Sequence, residues 1–250
     1  MSTYTDYINY ISNIINNDDL STFKHNNIYN TILEHVSYKQ GYEYLKLIMN
    51  EFNPNINDII EYTKMNDSVG SPSVYNYGLI ICSPSSLRYI YHTHLILTHM
   101  KNKKLNNINI VEVGGGYGGL CLCISYFSKY FDITILKYNI IDLQIVNQLI
   151  KKYLKNFNSN INFIVELHNS DTYGEYINDD NLFMISNYCY SEIDIDERNK
   201  YKALLLPKIT HFFLVWNDNN NIEYVEQIKN TQICETERPL TGPFNKFVYS

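Results

Sequence analysis

From residue 108 onward the chain alternates short apolar runs with amphipathic stretches, and that alternation leaves few folds open to it. NINIVEV, YNIIDL, INFIVEL, LFMISNY and HFFLVW read as strands, while GLCLCISYFSKY, QIVNQLIKKYLKNF, the stretch Asp196 to Leu206 and a segment near Ile222 to Lys229 read as helices. Strands joined through helices pair in parallel, because the crossover helix returns the chain to the same end of the sheet. The last two strands, TQICETE and NKFVYS, have no helix between them and predict an antiparallel hairpin. The expectation is a doubly wound, mostly parallel, seven-stranded α/β sheet of Rossmann-like type that closes in a hairpin.

The first hundred residues have a different rhythm. Tyr7, Ile8, Ile11, Ile14 and Ile15, and later Tyr42, Leu45, Ile48 and Met49, recur at helical spacing. A loop is expected from about Asn66 to Pro84, punctuated by Gly70, Pro72, Gly78 and Pro84, and then a helix ending in the basic stretch Lys101 to Lys104. The division this implies is a helical region over 1–100, serving as lid, substrate platform or dimer surface, and a cofactor-binding domain over 101–250.

The strongest motif is VEVGGGYGGL, Val111 to Leu120, where a strand ends and a helix opens. Glycines there let the backbone turn sharply and approach a ligand that a Cβ would exclude. Gly114, Gly116 and Gly119 also satisfy GxGxxG, so a dinucleotide must be weighed. Glu112, two residues before the first glycine, instead gives the E-x-G-x-G-x-G arrangement usual for S-adenosylmethionine, with the acid facing the cofactor's ammonium end. Asp142 lies beyond the ~20-residue spacing of a dinucleotide fingerprint. No Gly-Lys-Ser/Thr follows, which excludes a P-loop. The cofactor set is therefore Glu112, Gly114, Gly115, Gly116, Tyr117 and Gly118. Asp142 with Leu143 is placed at the ribose, where helix capping is the competing role for the carboxylate. Ser170 and Asp171 are placed at the adenine, and Ser186 and Asn187 beside the sulfonium. Arg88 is expected to pair with the cofactor carboxylate or with Glu112.

Charge and cysteine content bound the partners. Twenty basic against 26 acidic residues give a net charge of -6, no global reason to expect nucleic acid. The N-terminus lacks a signal-peptide pattern and no apolar run approaches the ~20 residues of a membrane span, so a cytoplasmic location is expected. Five cysteines without a CxxC pair fit reduced thiols and no structural zinc. His92 and His94, two apart on a helix, face differently and cannot share a metal. No metal is expected.

Several strings together resemble the sugar O-methyltransferases found in glycan gene clusters: SVGSPS (Ser68 to Ser73), SPSSLRYIYH (Ser83 to His92), VEVGGGYGGL, YNIIDL, ISNYCYSEI (Ile185 to Ile193) and ETERPLTGPFNKFVYS (Glu235 to Ser250). They follow the family's order over residues 66 to 250. Gln144 departs from the pattern, where a proline usually follows Asp-Leu, as do Cys189 and Tyr190. The resemblance implies the methyltransferase form of the Rossmann-like sheet and methyl transfer from S-adenosylmethionine to a hydroxyl of a sugar or sugar nucleotide. Such a hydroxyl needs a base within hydrogen-bond reach. Glu192, just after the fourth strand, is the first candidate and His168 the second, each with a structural role as the alternative. Tyr188, Glu237, Arg238, Thr241 and Asn245 are the candidate substrate-binding residues, Arg238 for a phosphate. The competing functions are a nicotinamide-dependent sugar-nucleotide oxidoreductase or epimerase, for which no YxxxK pair is suitably placed, and a non-catalytic cofactor-binding subunit.

Overall fold

The computed structural model describes residues 3–179, 181–217 and 233–250. The chain opens with helices α1 (Thr3–Asn17), α2 (Asn27–Ile32), α3 (Tyr38–Leu47) and α4 (Ile56–Asp67). Local chemistry sets their starts. The Asn26 side chain accepts from the Ile28 and Tyr29 amides, and Ser37 and Gln40 form a reciprocal capping box. The stretch expected as a loop holds the end of α4 and a small hairpin, β1 (Tyr75–Asn76) and β2 (Ile81–Cys82). Gly78, at φ 86°, donates its amide to the Asn76 side chain and closes the turn. Two residues per strand are too few for periodicity to register. Helix α5 (Pro84–Asn102) follows, with Ser83 accepting the Ser86 amide and proline at its first position.

The remaining elements are β3 (Ile108–Val113), α6 (Gly119–Phe127), β4 (Ile135–Asp142), α7 (Gln144–Lys155), β5 (Ile164–Asn169), β6 (Leu182–Asn187), α8 (Cys189–Glu192), α9 (Ile195–Leu204), β7 (Ile209–Trp216), β8 (Ile233–Thr236) and β9 (Lys246–Tyr249). The helix expected near Ile222 to Lys229 lies outside the described residues. Strand β4 starts earlier than YNIIDL predicts, because Lys137 breaks the apolar run yet pairs with Asp179 at 3.0 Å and with Glu166 of the neighbouring edge strand at 3.3 Å.

The sheet order is β5-β4-β3-β6-β7-β9-β8. Strands β3 to β7 run parallel, and β9 runs antiparallel to both β7 and β8. The closing hairpin is present, with β9 inserted beside β7. Neighbouring strand residues serve opposite faces. Ile110 joins a buried cluster that also contains Ile11, Tyr29, Tyr44 and Ile59 of the N-terminal helices. Val111 joins Met184, Leu214, Trp216 and Leu205 on the other side. From β3 the chain winds outward through β4 and β5, then returns to β6 on the other flank of β3. That reversal opens a crevice at the C-terminal ends of β3 and β6, the usual ligand position in such sheets.

Candidate functional site

A cavity of about 740 Å³ occupies the crevice. Gly114, Gly115 and Gly116 form its floor, with Glu112 and Asp142 beside them. Gly114 sits at φ 84°, and a Cβ there would stand 2.3 Å from the Cys189 Cβ, so only glycine lets the β3 and β6 ends approach. Gly116, at φ 60°, donates its amide to Asp142 Oδ2 at 3.2 Å, and the Leu143 amide donates to Asp142 Oδ1 at 2.8 Å. The carboxylate thus braces the glycine turn. Helix α7 has Leu143, not Asp142, at its N-cap. Burial raises the Asp142 carboxyl to about 6, against the opposing pull of those backbone donors.

Glu112 is 2% exposed and accepts a hydrogen bond from Tyr138 Oη at 3.0 Å. Burial pushes its carboxyl up to about 8. Arg88, also on the cavity wall, does not pair with it; its Nη2 donates to Leu33 O at 2.9 Å.

Over β6 the wall is built from Asn187, Tyr188, Cys189 and Glu192. Tyr188 holds φ 70°, a costly conformation for a residue with a side chain. Its amide donates to Val215 O at 2.8 Å and its hydroxyl to Glu237. Glu237 is buried and also accepts from the Thr241 amide at 2.9 Å, the Thr241 hydroxyl at 2.6 Å and Asn245 Nδ2 at 2.9 Å. The tail is thereby locked to the end of β6, with Thr241 and Asn245 on the cavity wall and Glu237 behind them. Glu192 faces the cavity and accepts a hydrogen bond from Asn217 Nδ2.

Several expected positions lie away from the cavity. Tyr117 turns inward, fully buried against Phe23, Tyr89 and Tyr153, with Lys24 4.2 Å from its ring centre, because the turn at Gly116 aims it beneath the loop. Gly118 packs on Leu154 at the start of α6, and Leu143 joins the core beside α7. Ser170 and Asp171 form a short turn after β5 outside the cavity wall. Ser186 is spent inside the sheet, donating to Val113 O at 2.7 Å and accepting from the Tyr190 amide at 2.9 Å. His168 bonds Asn139 at 2.9 Å, apart from the reaction side. Arg238 is 47% exposed and paired with Glu51 at 2.7 Å, so it offers no inward phosphate contact.

Sequence reasoning missed the N-terminal contribution. Tyr4 and Tyr7 of α1, and Leu33 and His35 after α2, close the cavity from above. Burial first, then Arg88, lowers the His35 imidazole to about 4. Tyr7 is legible as core periodicity, but nothing in the sequence links 1–35 to a loop eighty residues on. Among the described residues no cluster of three or more His, Cys, Asp or Glu is arranged to hold a metal ion, and no helix is long and apolar enough to cross a membrane.

Strand order, reversed β9 and a glycine turn at the crevice define the fold of class I S-adenosylmethionine-dependent methyltransferases. Solved structures agree. The chain is similar to magnesium protoporphyrin IX methyltransferase from Synechocystis PCC 6803 with bound SAM, at TM-score 0.50 and 7% identity over 84% of this chain and 95% of that one. It is also similar to the CMeT domain of the citrinin polyketide synthase, at TM-score 0.50 and 12% identity over 89% of this chain and 68% of that one. At such identities the likeness is one of fold. No protein-family model matches the chain. No curated protein matches it either.

Proposed function

We propose that the chain is an S-adenosylmethionine-dependent O-methyltransferase acting on a hydroxyl of a sugar, free, in a glycan or nucleotide-linked. The observation that carries the cofactor reading is the glycine turn braced by Asp142 at the switch point, with Glu112 on the same wall. The residues fit the group. Asp142 presents a carboxylate to ribose hydroxyls, Glu112 meets the ammonium end, and the turn leaves no side chain between backbone and ligand. When bound, the cofactor supplies an electrophilic methyl on a sulfonium. The chain's task is to hold the acceptor oxygen in line with that methyl, where positioning supplies much of the rate, and to take its proton.

Glu192 is the proposed base. Its carboxylate is on the cavity wall after β6, steadied by Asn217. His35 closes the cavity from above, and with its pKa lowered to about 4 the imidazole is neutral at physiological pH. The sugar assignment is supported by the SNYCYSE and ERPLTGPFN strings and by the tail, whose Thr241, Gly242, Pro243 and Asn245 line the acceptor side. Calorimetric titration with S-adenosylhomocysteine and, separately, NAD⁺ tests the cofactor. Micromolar binding of the first alone is expected; binding of NAD⁺ alone would overturn the reading. A methyl-transfer screen over sugars and sugar nucleotides then tests the acceptor.

A further inference from the structure

The cavity wall carries a buried cation that makes no ion pair among the described residues. Arg88 is 5% exposed, and a guanidinium stays protonated in proteins. Its Nη2 is held by Leu33 O, while its Nη1 has no hydrogen-bond partner. Behind it, off the cavity wall, lie two further buried polar groups: the Tyr44 hydroxyl, which interacts with Tyr188, and His92 Nε2. Arg88 and His92 share a face of α5, one turn apart. The rings of Tyr44 and His92 stand edge to face at 6.0 Å. The Asn187 side-chain amide lies 3.2 Å from His92 Nδ1 and ties the ring to the end of β6. Burial keeps this imidazole neutral, its pKa near 3. Arg88 Nη1 is therefore the unpaired donor on the cavity wall, with Tyr44 and His92 packed behind it.

Leaving such groups unpaired is expensive, and a buried charge costs several kcal/mol unless a counter-charge joins it. Glu34 is near enough to act on Arg88 electrostatically, but no hydrogen bond or ion pair joins the two, and its Oε1 too has no hydrogen-bond partner. Resting on the methyltransferase reading, we propose that Arg88, backed by Tyr44 and His92, is an anion subsite for the acceptor, which therefore carries a carboxylate or phosphate close to the hydroxyl that is methylated. Its position favours acceptor over cofactor. The guanidinium lies between the Tyr188 ring, at 5.8 Å, and the Tyr89 ring, at 5.9 Å, and the His92 behind it bonds Asn187 and meets Phe247 at 5.8 Å on the β6 and tail side. Glu112, the glycine turn and Asp142 lie on the β3 and β4 side. Asn187 Oδ1, a buried acceptor without a partner, is left for a hydroxyl of the same ligand.

The test titrates glucuronate, glucose and inorganic phosphate into the full chain, free and loaded with S-adenosylhomocysteine. Glucuronate is expected to bind at least tenfold more tightly than glucose. Arg88→Gln should erase that preference while changing S-adenosylhomocysteine affinity less than twofold, and Arg88→Lys should restore part of it. Tyr44→Phe, which keeps the ring and removes one donor, should cost glucuronate about threefold and guards against a folding defect in Arg88→Gln. Equal affinity for the two sugars, or no binding of glucuronate and phosphate, overturns the subsite. A tenfold loss of S-adenosylhomocysteine affinity in Arg88→Gln, with no anion preference in wild type, gives the guanidinium to the cofactor carboxylate instead. Should the wild-type chain bind the anions through Arg88 but not S-adenosylhomocysteine, the cofactor reading fails and the subsite stands.

Discussion

Cofactor affinity should depend steeply on pH through Glu112. In the ligand-free protein, burial raises this carboxyl from 4.5 to about 8, the Tyr138 hydroxyl offsetting only part of the effect. At neutral pH Glu112 is mostly protonated, and an arriving ammonium group requires it ionised. Ionising it at pH 6 means working two units below its pKa, at about 1.36 kcal/mol per unit, or about 2.7 kcal/mol. Affinity for S-adenosylhomocysteine should therefore rise about tenfold per unit from pH 6 toward 8 and then level off, near a hundredfold above its pH 6 value. Binding near pH 7 should also release close to one proton, read from the dependence of calorimetric enthalpy on buffer ionisation enthalpy. Glu112→Gln should flatten the curve at the weak end. Stability moves the other way: the folded state holds a proton that the unfolded state has lost between pH 4.5 and 8, so this group's contribution declines as pH rises through that window. Glu112→Gln should remove that decline in thermal melts of the ligand-free protein. Flat affinity from pH 6 to 8 with no proton released would refute the reasoning and leave Glu112 as a neutral partner of Tyr138.

Three further outcomes are expected. Asp142→Ala should weaken S-adenosylhomocysteine binding at least tenfold, since hydrogen bonds to a charged group contribute roughly 1.5–3 kcal/mol each, while circular dichroism shows the chain still folded; unchanged affinity would remove the ribose assignment. Glu192→Gln should slow methyl transfer ~10²-fold or more with cofactor affinity intact, and near-normal turnover would shift the proton to His35 or to water. Buried Lys24, whose ammonium donates to Asn66 O at 2.7 Å, is lowered by burial from 10.5 to about 8. Between those values the unfolded state binds the extra proton, so its contribution to stability increases with pH. Lys24→Met should melt with a smaller increase, or a larger fall, from pH 8 to 10 than wild type, and parallel profiles would contradict the assigned shift.

The sheet was legible because its signals are local. Seven apolar runs of strand length and the glycine turn at 114–116 report backbone conformation within a few residues, and the structure places them in one sheet around one crevice. The site was less legible because side-chain direction is decided by partners distant in sequence. Tyr117 belongs to the motif string yet is claimed by an aromatic cage from Phe23 and Tyr153, while Ser186 is claimed by the Val113 carbonyl. Arg238 and Arg88 are likewise placed by partners distant in sequence. Glu51, 187 positions away, takes the tail arginine to the surface, while the Leu33 carbonyl, 55 positions away, holds one arm of Arg88 at the cavity and leaves Nη1 without a hydrogen-bond partner. A motif can mark where the backbone must come close to a ligand, since that demand is met by residue type at fixed spacing. Which polar groups remain unpaired for the ligand to satisfy is set by the whole hydrogen-bond network, and it becomes readable only when every donor and acceptor around the cavity has been accounted for.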